Sequence, residues 1–251
     1  FSFSFPLTHA GPFQATGIKI GEVTDTTAII WTRLTQKEEP NPATAPSFTI
    51  NYSDGETRLP DLSKRPVRRK GHVTGISFST PDEVSDIRHA TPGTEGEVRV
   101  VYKSTDSSSK ETEWLSVTPK ADFTRQFRLI NLAPKTKYSL KVESRNPEGE
   151  PGITLNGSFL TAPAPNKPSR VVFTVSTGQT FRHQDRPDGF QIYPTMLKME
   201  PQPDFFVHTG DILYYDGLAK TKALADWHWQ RMYSLPTNVD FHRQVPSYFI
   251  K

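Results

Sequence analysis

Through residues 1–162 the apolar and polar positions keep returning to a period of two. "GIKIGEV" (17–23) alternates, and "TTAIIWTRL" (26–34) is rich in β-branched and aromatic residues. Thr24 and Asp25 between them supply turn chemistry, so the two stretches predict an antiparallel strand pair. The same grammar recurs in "EVRVVYKS" (97–104), "RQFRLINL" (125–132), "KYSLKVESR" (137–145) and "TLNGSFLT" (154–161). Short strands with turn signals between them predict a β-sandwich. Residues 35–95 break the pattern. They are polar, Pro-rich and too long for a sandwich loop, and read as an insertion.

One corner is more specific. In "LINLAPKTKYSLKVES", Leu132, Pro134 and Tyr138 precede a strand on which Tyr138, Leu140 and Val142 share a face. This resembles the corner of fibronectin type III and immunoglobulin-like domains, which implies a Tyr138 packed under the turn with its hydroxyl bonded backwards. "TAPAPNKPSR" follows, with three prolines in ten residues. Proline fixes φ and donates no amide, so residues 163–170 predict a stiff linker and a domain boundary.

From residue 171 the pattern changes. "VVFTVST" is a continuous apolar and β-branched run, expected of a strand buried on both faces. A short helix is predicted near residues 192–199, its start limited by Pro194. "DFFVHT" reads as a second buried strand. Residues 218–235 read as a helix with Leu224, Trp227 (or His228) and Arg231 on one face, ended by Pro236. "PSYFIK" begins a third strand. This order predicts parallel pairing with right-handed crossovers, and functional groups just past the carboxyl ends of the strands. The fold expected for the whole chain is therefore an immunoglobulin/fibronectin III-like β-sandwich (1–162) followed by the first βαβαβ part of an α/β domain (171–251).

Composition narrows the function. Of 251 residues 34% are hydrophobic, 22 are proline and the net charge is +3. A nucleic-acid-binding domain would concentrate more Lys and Arg on one face. The dense basic run "KRPVRRK" (64–70) reads as a solvated loop or, alternatively, as a patch that attracts anions. The absence of cysteine excludes disulfides and thiolate metal or nucleophile sites. No apolar run approaches the length of a membrane span. Asn51 and Asn156 begin glycosylation-type triplets, a pattern common by chance.

The stretch "FFVHTGDILYYD" (205–216) carries the chemistry. Gly210 lets the backbone turn sharply and approach an ion, and Asp211 follows the predicted strand by three residues. Its carboxylate can serve two cations. Tyr214 lies three residues further on, where a phenolate suits a ferric ion. Asp216 can ligate or orient. A plain Gly-Asp turn with core-packed tyrosines is the alternative.

"PDFFVHTGDILYYDG" resembles the Gly-Asp-x-x-Tyr-x-Asp block of the PhoD-like alkaline phosphatase/phosphodiesterase family and of purple acid phosphatases, within the calcineurin-like metallophosphoesterase superfamily. "VVFTVSTGQ" stands in the place of that family's first strand, and "GIKIGEVTDTTAIIWTRL" is similar to the start of its immunoglobulin-like domain. Residues 35–95 carry no resemblance. The resemblance implies a phosphoric ester hydrolase acting on small-molecule or polymer monoesters or diesters. It implies ferric iron and a divalent ion, calcium in the PhoD type, with Asp211 bridging the two and Tyr214 binding iron. It also implies export to the periplasm, cell surface or medium.

Two departures stand out. The family's first strand ends in a metal ligand, whereas Gly178 here has no donor. Gln179, His183 or Asp185 on the following loop are candidate substitutes. His208 is expected to pack rather than bind metal. The family's remaining ligands follow a third strand, and this sequence stops at "SYFIK", where that motif would begin. The expectation is the N-terminal portion of a longer protein, or one chain of a nicked one, binding metal poorly without the C-terminal part. The competing reading is a non-catalytic secreted module for adhesion or glycan binding with a degenerate phosphatase half.

Overall fold

The computed structural model describes residues 11–60, 71–79, 83–105, 107–215 and 217–250. The basic run at 64–70 and Asp216 lie outside the described residues. The strands are β1 (Lys19–Gly21), β2 (Ala28–Arg33), β3 (Thr49–Tyr52), β4 (Thr57–Arg58), β5 (Val73–Ser77), β6 (Gly96–Ser104), β7 (Lys110–Glu111), β8 (Leu115–Val117), β9 (Thr124–Leu129), β10 (Lys137–Arg145), β11 (Leu155–Leu160), β12 (Phe173–Ser176), β13 (Phe205–His208) and β14 (Ser247–Phe249). The helices are α1 (Ile192–Leu197), α2 (Lys222–Tyr233) and α3 (Pro236–His242).

The first half is a β-sandwich. One sheet runs β1-β2-β9; the other runs β11-β10-β6-β7, with β8 also paired to β6. Ile18, Ile20, Ile30, Leu129, Val98, Val100, Leu140, Val142 and Phe159 meet between the sheets. Along β10 exposed and buried positions alternate, as the period of two requires. The predicted corner is present: the Ala133 N–H donates to the Tyr138 hydroxyl at 2.9 Å, and the Tyr138 ring stacks on Phe159.

Residues 35–95 hold more structure than an excursion. Within them β4-β3-β5 form an antiparallel sheet of their own. Phe48, Ile50, Ile87 and Ala90 pack against Leu224 and Trp227 of α2. Phe48 meets the Trp227 ring edge-on at 5.5 Å, and the Trp227 indole N–H donates to the Arg88 carbonyl. The polar composition hid this sheet because the apolar partners of Phe48 and Ile50 lie on a helix about 175 positions further along the chain.

The second half is a three-stranded parallel sheet, β12-β13-β14, with crossovers through α1 and through α2 and α3. Phe206 of β13 packs with Tyr193 of α1 and Phe241 of α3, so the helices cover one face of the sheet. The other face is open at β12: Phe173 is 54% and Val175 53% exposed. The expectation that β12 is buried on both faces is therefore wrong. Hydrophobicity reports only that a side chain prefers burial; whether a layer covers it depends on the tertiary partners.

Pro236 also differs from its predicted role. α2 ends at Tyr233, and Pro236 occupies the first turn of the separate helix α3. Proline suits that position because its fixed φ is helical and the missing N–H would have no intrahelical partner there. α2 itself is capped by Thr221, whose hydroxyl accepts from Leu224 N–H. Arg33 ties the layers together. It forms a bidentate pair with Asp122 (both contacts 3.0 Å), and Gln230 of α2 donates to the same carboxylate.

Candidate metal centre

The loops leaving β12 and β13 are stitched together beyond the strands. Thr209 N–H donates to Ser176 O at 2.9 Å, and Gln179 N–H donates to Asp211 O at 2.9 Å. On the far side Ile250 N–H donates to His208 O. Gly178 (φ +70°) and Gly210 (φ +114°) make the turns, in a region that L side chains rarely occupy. Ile212 and Leu213 plunge into the helix-covered core, each 6% exposed, and anchor the loop. The three-residue step from Asp211 to Tyr214 thus spans two buried residues and leaves its two ends outside.

Those ends meet. The Tyr214 hydroxyl donates to Asp211 Oδ2 at 2.7 Å. The tyrosine is 50% exposed and the aspartate is exposed. The hydrogen bond to Asp211 raises the phenol above its ordinary pKa, because losing the proton would set two anions side by side. Both residues hold left-handed backbone, at φ 54° and 51°. Asp tolerates that region; a bulky Tyr does so rarely, and such positions concentrate at functional sites. A carboxylate and a phenol in contact on a fixed backbone are a hard-oxygen donor pair suited to a hard cation.

The structure places the other candidates differently. Gln179 is buried and its Oε1 accepts from the Tyr193 hydroxyl at 3.1 Å, so its amide faces the core. Asp185 is exposed and accepts from Gln191 N–H. His183 is exposed at the end of a short 3-10 turn. His208 is fully buried, its ring against Phe206 and Phe249, and burial lowers its pKa. A Cβ built on Gly178 would stand 3.8 Å from the Tyr214 hydroxyl. The position where the family pattern has a donor is therefore beside the pair, but its backbone is set for glycine. Among the described residues no three His, Cys, Asp or Glu side chains gather closely enough to hold a metal ion.

Sequence reading missed a second feature, a cavity of about 500 Å³ between the sandwich and α2, walled by Trp31, Trp229, Tyr233 and Phe249. A helical-period signal was available in Lys222, Asp226, Trp229 and Tyr233. These lie along one face of α2, separate from the buried Leu224–Trp227 face. Among the described residues no helix is long and apolar enough to cross a membrane.

No protein-family model and no curated protein matches the sequence. Among solved structures the chain is similar to PhoD, with a TM-score of 0.57 and 14% identity over 99% of this chain and 40% of that one. It aligns with a purple acid phosphatase from yellow lupin (Lupinus luteus) seeds at TM-score 0.45 and 11% identity, covering 96% of this chain and 56% of that one. A fibronectin type III domain of the human collagen α1(XX) chain aligns at TM-score 0.29 and 18% identity, covering 67% and 96% of the two chains. The likeness to PhoD shows a shared fold, and this chain spans about two fifths of the PhoD length.

Proposed function

We propose that the chain supplies one wall of the active site of a metal-dependent phosphoric ester hydrolase acting on phosphomonoesters or diesters. The observation that carries this reading is the Tyr214–Asp211 contact at 2.7 Å, presented at the carboxyl end of a parallel strand. That is where open α/β sheets place their ligands. Asp211 would bridge ferric iron and a divalent ion, calcium in the PhoD type, and Tyr214 would bind the iron. Bound there, the ions supply Lewis-acid polarisation of a phosphoryl oxygen and activation of a nucleophile at neutral pH.

The chain's own residues do three things. Gly178 and Gly210 let the two loops close on each other, and the Gln179-to-Asp211 backbone hydrogen bond fixes the aspartate's carbonyl side. Ile212 and Leu213 hold the carboxylate and the phenol outward. The Tyr214 hydroxyl keeps its proton and donates it in a hydrogen bond to Asp211 Oδ2; that proton would have to be released for the phenolate to hold a cation. Asp216 belongs to the same reading as an orienting carboxylate, and export of the protein accompanies it. Gly178 favours a second reading, a non-catalytic adhesion or glycan-binding module, since this position beside the Asp211–Tyr214 pair carries no side chain to donate.

Hydrolysis of p-nitrophenyl phosphate and bis-p-nitrophenyl phosphate by the metal-supplemented protein that also carries the remaining walls of the site separates the two. The enzyme reading expects turnover that falls about a hundredfold in Asp211→Asn, since removing even an outer-shell partner of a metal ligand costs about 10–100-fold. Equal rates in wild type and variant remove Asp211 from the chemistry.

A further inference from the structure

We propose that the cavity between the sandwich and α2 binds a small organic anion with a flat apolar body, its anionic group on the Lys19 ammonium and its body among Trp31, Trp229 and Tyr233. Its volume, about 500 Å³, suits a ligand of one or two fused rings. Trp229 and Tyr233 stack at 5.8 Å with an interplanar angle of 16°, forming one aromatic wall on α2, and Trp31 of β2 lines the same space. None of Asp211, Tyr214, Gln179, His183 or Asp185 lines the cavity, so the site is separate from the metal centre.

Charge decides the ligand's sign. Two carboxylates line the cavity and both are already engaged: Asp122 by Arg33 and Gln230, Asp226 by Lys222. Two cations are not. Among the described residues Lys19 and Lys120 have no carboxylate partner, although both line the same space. Lys19 reaches inward from the part-buried strand β1 and donates to Thr16 O at 2.6 Å. Its ammonium sits 6.0 Å from the Trp31 ring and 5.6 Å from that of Tyr233. Desolvation lowers its pKa to about 7, the mark of a cation lacking a counter-charge. A cationic ligand would meet this ammonium on the ring faces it already occupies. An anion supplies the missing partner while the rings bury the rest of the molecule.

The direct test is calorimetric titration in EDTA with three probes: 2-naphthoate, its neutral analogue 2-naphthylmethanol, and acetate. The expected order is naphthoate binding at least tenfold tighter than naphthylmethanol, with acetate undetected. Lys19→Met, which keeps the apolar stem, should weaken naphthoate at least tenfold and leave naphthylmethanol within twofold. Lys19→Arg should retain naphthoate binding. Lys120→Glu, at the exposed rim, should weaken naphthoate about threefold without any question of folding. Absence of naphthoate binding to the wild type overturns the proposal. So does equal affinity for the alcohol, or a Lys120→Glu protein that binds naphthoate as well as wild type.

Discussion

Asp211 and Tyr214 hold φ near +50°, and for tyrosine that conformation costs about 1–2 kcal/mol. Half-exposed Tyr214 recovers little of this by burial. Tyr214→Asn, which tolerates left-handed backbone, is therefore expected to raise the melting temperature by about 1–4 °C. A clear drop in Tm would mean that the ring is there for stability. His228 offers a second residue-scale prediction. Burial, helped by the neighbouring Arg231, lowers its pKa to about 2, and burial lowers that of His242 well below the ordinary value. His89 is lowered to about 4. The unfolded chain protonates these histidines near 6.5 and the folded one does not, so it binds more protons than the fold below that pH. Stability is then complete above about pH 6.5 and falls as pH drops toward 4, by at most about 1.4 kcal/mol per pH unit for each histidine. Urea titrations of wild type and His89→Asn between pH 4 and 7 check the sign; identical slopes would contradict it. The residue scale was also the most legible in sequence. The spacing of Asp211 and Tyr214 was visible, and so was the Tyr138 corner. The left-handed backbone of the pair and the inward turn of Gln179 onto Tyr193 were not, because both depend on a loop contributed by another strand.

Among the elements, strands with clean alternation were legible nearly to their ends. "KYSLKVESR" is β10 in full, and β2 lies within its predicted stretch. Where the sequence misled, a distant element decided. Residues 35–95 were legible only as an insertion, since Phe48 and Ile50 find their partners on α2. The layer missing over Phe173 and Val175 leaves no trace in their own hydrophobicity. α2 carries the joint between insertion and sandwich, so it is the element to test. Trp227→Ala removes the fully buried ring that Phe48 abuts and should cost about 3–5 kcal/mol. Thr221→Ala removes only the cap and should cost about 1 kcal/mol. Denaturant unfolding that ranks the two in the opposite order would mean that the insertion does not rest on α2.

At the scale of the whole molecule, a sandwich and a parallel sheet are joined through Arg33, Asp122 and Gln230 on one side and through Tyr248, whose hydroxyl donates to Val23 O, on the other. The parallel sheet stays open at β12, where Phe173 stacks on Phe205 at 5.1 Å. Val175→Lys should reduce binding of an apolar dye while leaving Tm within about 1 °C, because the side chain is more than half exposed. Unchanged dye binding would place the apolar surface elsewhere. The central claim remains that Asp211 and Tyr214 together take a hard cation. The most direct measurement is the visible spectrum of the protein during titration with ferric ion in a weak chelating buffer. The account predicts a tyrosinate-to-iron charge-transfer band that disappears in Tyr214→Phe and is weakened in Asp211→Asn. A colourless wild type, or a band unchanged in Tyr214→Phe, would contradict it.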